Sequence, residues 1–237
     1  MNKHGVIGAL ASVLAAAPAP SGTGGAAAHD GSRITVQRDG EPMVEGSGRT
    51  STSSRAAESF TAIAVEGPAA LEVVVGPRES VEVEANDNLL DRITTDVDDG
   101  TLEIGTRGSF RTRITPVVRV TVRELERLRV RGSGDTRIGG IDGGRLDLVL
   151  QGSGDIHVEG RAEAVTANLY GSGNIELARL SAPSFETAVY GTGNIRVHTT
   201  GTLSAAVFGT GRIDFSGNPR LVRKDVFGPG SIASVAR

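Results

Sequence analysis

Two aspartates, two histidines and a run of glycine pairs are the residues of this 237-residue chain whose types and spacing could carry chemistry. Asp135 follows Gly132-Ser133-Gly134, and Asp155 follows Gly152-Ser153-Gly154. If the two glycine segments stack, their carboxylates approach to ~5 Å, the separation a retaining glycosidase uses. Aspartate is equally at home in tight corners, where it hydrogen-bonds nearby backbone. No third group is placed to keep one of the two as an acid, so no catalytic residue is assigned. His157 and His198 fall on outward positions of alternating segments and read as solvated surface residues. With no cysteine and only four histidines (4, 29, 157 and 198), thiol chemistry is excluded and neither a metal site nor a cofactor is expected.

The glycine pairs recur: Gly132 and Gly134, Gly152 and Gly154, Gly171 and Gly173, Gly191 and Gly193, Gly209 and Gly211, Gly228 and Gly230. Their first members are separated by 20, 19, 20, 18 and 19 residues, the mark of stacked supersecondary units. A phosphate cradle would need a helix after each pair, and none follows. A calcium-binding roll would need an acid in every repeat. Here that column reads Asp135, Asp155, Asn174, Asn194, Arg212, Ser231, and an arginine repels a cation. The glycines are therefore read as structural corners, where positive φ, expected at both Gly171 and Gly173, or close backbone approach excludes a Cβ.

What must position these corners is strand. Apolar residues alternate before each pair (Val165, Ala167, Leu169) and after it (Ile175, Leu177), a period of two with one buried face. No room remains for a crossover helix. The pattern predicts an all-β chain, a parallel β-solenoid with Gly-x-Gly corners every ~19 residues and coils ~4.8 Å apart. Glycine at 33 residues and aromatics at 3% suit thin aliphatic layers and exclude a core of large rings. Two inner ladders are expected, Val130-Leu150-Leu169-Val189-Val207-Val226 and Ile156-Ile175-Ile195-Ile213-Ile232. The residue before each corner points outward and reads Tyr170, Tyr190, Phe208, Phe227 in the last four coils, an exposed stripe able to bind a ligand or staple the coils. Lys224 falls on an inward position of the last strand, where a charge opposes end-to-end stacking. Any oligomer is then expected side by side.

The first half alternates less regularly, with a turn at Asp98-Asp99-Gly100 and a helical turn from Asn88 to Ile93. Residues 66–103 carry 11 acidic and 2 basic groups, and 107–137 carry 9 arginines and 3 acidic groups. Arg119, Arg123, Arg129 and Arg131 alternate with inward Val and Leu, so they are expected on one outward face. That face is either a basic patch for an anionic glycan or one half of cross-strand pairs with the acidic strands. A net charge of −3 gives no drive toward nucleic acid. Residues 1–28 read as a secretory signal peptide: Lys3, then an apolar run from Val6 to Ala17 too short to span a bilayer. No later run is long enough, so no transmembrane segment is expected. Residues 29–55 read as a flexible linker and 56–237 as the folded domain.

Over residues 55–233 the chain resembles the bacterial head GIN domain family of autotransporter adhesins. Phe60, Ile63, Val65, Gly67, Ser80-Val81, Asn88-Leu89-Leu90, Gly100-Thr101-Leu102 and the glycine corners carry the resemblance. It implies a pectin-lyase-like β-helix of two sheets, exported to periplasm, envelope or medium, without catalytic residues, and acting in adhesion, with a glycan or envelope protein as partner. A polysaccharide-active enzyme on the same fold, recognisable by a polar lateral groove, and a periplasmic sensor are the rival readings.

Overall fold

In a computed structural model, residues 43–236 are described. The segment expected to be a signal peptide, residues 1–28, and the first part of the expected linker lie outside the described residues. Each regular coil runs strand, glycine corner, strand, short loop, as in Ala164–Gly171 followed by Asn174–Ser181. The first strands build a nine-stranded sheet and the second strands a ten-stranded one, with the aliphatic core between them. Along the regular part every neighbour is parallel, and the nine-stranded sheet keeps one register throughout, Leu150 on Leu169 on Val189 on Val207. The opposite ladder runs Ile156, Ile175, Ile195, Ile213, Ile232. Alternation thus becomes two facing columns of branched side chains, the packing a flat solenoid requires.

The N-terminal end does not stack in chain order. Ala62–Gly67 lies between Thr101–Thr106 and Arg127–Gly132, parallel to both. Ala70–Val75 lies likewise between Val117–Val122 and Thr136–Asp142. The chain lays down its second coil first, then builds the outer one, then continues. Antiparallel strands close that end: Ile93–Asp98 on Thr101–Thr106, through a turn with Asp99 and Gly100 at φ +44° and +68°, and Ser80–Asn86 on Val117–Val122. A 3₁₀ helix, Asp87–Arg92, plugs the gap with buried Leu89.

The linker expectation is corrected over its described part. Thr50–Arg55 is a strand paired antiparallel with Ser80–Asn86, and Val44–Glu45 pairs with Phe110–Arg111. The Thr50–Arg55 strand is held by backbone hydrogen bonds and buries no apolar face, so no alternation betrays it. A polar strand on a sheet edge also limits further pairing. Ser47 and Arg49 fasten the entry to this strand on Asp87. The Ser47 hydroxyl holds the Asp87 carboxyl below its usual range; desolvation opposes it, and the Arg49 guanidinium and the Asn88 N–H add to the lowering.

At the other end the core is open. Lys224 occupies the inward column after Ala205, and its ammonium lies 4.5 Å from the centre of the Phe215 ring and 3.4 Å from the Ile232 carbonyl oxygen. The stem of the lysine thereby covers apolar surface while the charge reaches polar partners.

Candidate functional site

The corners are mechanical. The first glycine of each pair has a positive φ, +140° at Gly171, but Gly173 does not, which corrects the expectation for the second member. Gly193, Gly211 and Gly230, the second members of the following corners, lack a positive φ as well. These second glycines exclude side chains by proximity instead. A Cβ at Gly173 would lie 2.0 Å from the carbonyl oxygen of Gly154. At Gly193 it would lie 2.0 Å from that of Gly173, at Gly211 2.4 Å from that of Gly193, and at Gly230 2.5 Å from that of Gly211. One cause therefore serves the whole second column: each glycine sits against the backbone of the coil before it. The carbonyl of Gly152 accepts the N–H groups of Ser172 and Gly173 in the next coil, at 3.0 and 3.2 Å.

Asp135 and Asp155 are occupied in the same manner. The Asp155 N–H donates to Asp135 Oδ1 at 3.1 Å, and both the backbone N–H and the side-chain amide of Asn174 donate to Asp155 Oδ1. The amide of Asn194 continues the series onto Asn174. The column is a hydrogen-bonded ladder along the corner. Its acceptors take backbone N–H groups and side-chain amides of the next coil.

Tyr170, Tyr190, Phe208 and Phe227 are exposed and stacked, with ring centroids 4.7, 4.8 and 4.9 Å apart and planes within 6° of parallel. The two inner rings, Tyr190 and Phe208, therefore spend both faces on their neighbours. Along its length the stripe offers ring edges, while sugar stacking needs faces, and only the outer face of Phe227 at the sheet edge is left open.

The four arginines do not share a face. Arg119 lies on the ten-stranded sheet, between Glu72 at 3.0 Å and Glu84 at 2.6 Å. Hydrogen bonding to Glu84, reinforced by the charges of both carboxylates, raises its pKa further. Arg129 and Arg131 lie on the nine-stranded sheet, and Arg131 donates to Gln151 at 2.8 Å. Arg123 sits in the connection between these strands, beside Glu124 and Asp142 in a small cleft. The chain crosses between sheets after Val122, and counting alternation through that crossing is what placed the four together. For Arg119 the cross-strand reading holds.

A lateral groove of about 710 Å³ crosses the outer face of the ten-stranded sheet. One wall is a column in register, Glu72, Arg137, His157, Glu176, Arg196. Glu159 and Arg179 form the other, 3.7 Å apart. Two irregularities open the floor: strand pairing shifts between Ile138 and Ile141, and again between His157 and Glu159. Gly139 stands where a side chain would cover Val74, which is 54% exposed. Within the groove, Glu176 accepts from Arg196 at 2.9 Å and from the Ala178 N–H at 3.2 Å. His157 is exposed as expected. His198 is not: it is half-buried, with Nδ1 2.9 Å from the Ser216 hydroxyl, because Ser216 is its partner in the next coil. Among the described residues no cluster of metal-ligating side chains occurs, and no helix is long and apolar enough to cross a membrane, which says nothing of a barrel.

Sequence reasoning named a polar lateral groove as the mark of the enzyme reading but did not locate its residues. Its signal was present in the Gly139-Gly140 doublet, which breaks the repeat, and in the charged column three residues after each corner.

Fold and surface define a class: a two-sheet parallel solenoid with mechanical corners and a polar lateral groove. The chain belongs to the family described as "Putative auto-transporter adhesin, head GIN domain", whose model matches residues 59–219. Its fold is similar to that of a "putative adhesin" from Bacteroides fragilis, at 24% identity and TM-score 0.68, covering 81% of this chain and 100% of that one. It is also similar to a "putative lipid binding protein" from Parabacteroides distasonis, at 22% identity and TM-score 0.56, covering 82% and 100%. No curated protein matches the chain.

Proposed function

We propose that this is an exported cell-envelope adhesion protein that binds a glycan in the lateral groove and does not cleave it. The observation that supports this reading is the groove itself, with alternating charged walls over a floor opened by Gly139 and Val74. Sugars are bound by such surfaces, because hydroxyl groups satisfy charged donors and acceptors while the ring's C–H face rests on apolar floor. Five coils at strand spacing make a groove ~19 Å long, room for three or four sugar units. Cleavage would need one carboxyl group shielded from cations so that it can donate a proton. Here Glu72, Glu159 and Glu176 each face an arginine. A sensor role would use the same surface for an envelope protein, and fractionation separates surface exposure from periplasmic retention.

The test is a glycan-array screen with the full chain, followed by titration of the best ligand against Arg137→Ala and His157→Ala. Binding lost in both variants, with unchanged thermal melting, supports the groove. Binding that survives both and fails in Tyr190→Ser/Phe208→Ser transfers the site to the ring stripe. Release of reducing ends from any bound glycan refutes the non-catalytic reading.

A further inference from the structure

The strand Leu221–Phe227 is the outer edge of the nine-stranded sheet. It pairs with Thr202–Gly209 on one side, and among the described residues no strand pairs with its other side. It also carries Leu221 and Phe227, 64% and 60% exposed, and half-open Val226. An unpaired edge with apolar side chains is a template for another strand.

The order of residues along this edge says which strand fits. Leu221, Arg223, Asp225 and Phe227 point outward, as Phe227 in the ring stack fixes, and Val222, Lys224 and Val226 inward. We propose that the edge pairs antiparallel with the same edge of a second copy of this chain, about a two-fold axis through Lys224. In that register Leu221 meets Phe227 of the second copy, Val222 meets Val226, and Arg223 meets Asp225, each pair formed twice. Both members of every pair lie on the same face. A shift by one residue puts outward side chains opposite inward ones. A shift by two centres the axis on Arg223 or Asp225 and sets like charges opposite each other. The strand therefore matches itself in one register, and charge complementarity selects it. The second exposed edge, Ser231–Ser234, carries no charged side chain and so does not oppose the approach.

Lys224 faces its own copy in this pairing. Its ammonium is drawn toward the other sheet, over Phe215 and toward the Ile232 carbonyl, so the lysine does not obstruct the backbone. Enclosing two ammonium groups between copies is nevertheless unfavourable, which keeps the association weak. Lys224 thus sets the strength of the dimer, and Arg223 with Asp225 sets its register. This replaces side-by-side association, which followed from reading the inward charge of Lys224 as a bar to end-to-end stacking. The surface is separate from the groove and does not depend on a ligand there.

Sedimentation velocity on the full chain, from micromolar to several hundred micromolar, tests the proposal. The wild type is expected to show a concentration-dependent dimer, and Lys224→Met to tighten it by about tenfold or more. Arg223→Asp and Asp225→Arg are each expected to abolish it, and the double exchange Arg223→Asp/Asp225→Arg to restore it. Thermal melting of each variant separates loss of fold from loss of association. Asp225→Asn, a milder change, serves where a reversal fails to fold and is expected to weaken the dimer. A folded double exchange that stays monomeric, or a Lys224→Met variant no more associated than the wild type, overturns the proposal. Open-ended polymers would overturn it too, since a two-fold contact closes on itself.

Discussion

Replacing Gly173 by alanine separates the two reasons a corner needs glycine. The new Cβ would lie 2.0 Å from the Gly154 carbonyl oxygen and 3.1 Å from Leu150 Cδ2, so the coils must part by roughly 1 Å. That movement stretches the bonds from Gly173 N–H to Gly152 and from Asn194 N–H to Gly173, now 3.2 and 3.3 Å. Losing two such bonds costs about 2 kcal/mol. Overpacking adds about 1–3 kcal/mol more. Gly143 is the control: its φ is +88°, but a Cβ there meets nothing within 4 Å. Backbone strain alone then costs about 1 kcal/mol, and reduced freedom of the unfolded chain offsets part of it in both variants. Gly173→Ala is therefore expected to lose about 3 kcal/mol more than Gly143→Ala, read from urea denaturation followed by circular dichroism. On melting this is about 6–12 °C for a domain of this size. Equal losses in the two variants would refute close approach as the reason for the second glycine.

Thr187 has a buried hydroxyl without a hydrogen-bond partner, between Ala167 and Ala205 in the inner column. Thr187→Val should raise the unfolding midpoint, by about 1 kcal/mol in denaturant titration. Tyr190→Ser/Phe208→Ser removes all three stacked contacts and should lower stability by about 2 kcal/mol while leaving groove binding intact, measured by melting and glycan titration. Because the Asp87 pKa is lowered in the fold, its contribution is present above the ordinary carboxylate range and is lost as pH falls through the lowered value. Hydrogen exchange over residues 47–55, corrected for intrinsic rate, should report that loosening in acid; unchanged protection there removes the argument.

The regular coils were readable because their period, alternation and corner glycines all describe the same object. Leu169 and Ile175 sit where spacing puts them. The capped end was less legible, because its pairings are set by backbone and by distant segments. Thr50–Arg55 has no apolar face to announce it, and nothing local tells Thr101–Thr106 to lie outside Ala62–Gly67. The seventh corner, Gly67-Pro68-Ala69, shares the register of Gly132 but has an alanine in place of the second glycine, and so escaped the repeat. For the site, outward positions were correct strand by strand, as with the ring stack. They failed where a count was carried across a change of sheet, at Arg119 and Arg129. The groove depends on two pairing shifts that no periodicity encodes.

The displaced order of the first coils has a consequence for a chain that emerges from the ribosome N-terminus first. Ala62–Gly67 and Ala70–Val75 cannot be flanked on both sides until Arg127–Gly132 and Thr136–Asp142 have appeared. Until then the nascent chain carries a long stretch of half-paired strand, open to other chains and attractive to holding chaperones. Beyond that point the task changes in kind. Each further length of about nineteen residues meets a finished template and docks as it arrives. Synthesis thus has a long vulnerable interval followed by stepwise completion. Chains arrested before residue 136 should be aggregation-prone, while those arrested at later corners should already be compact.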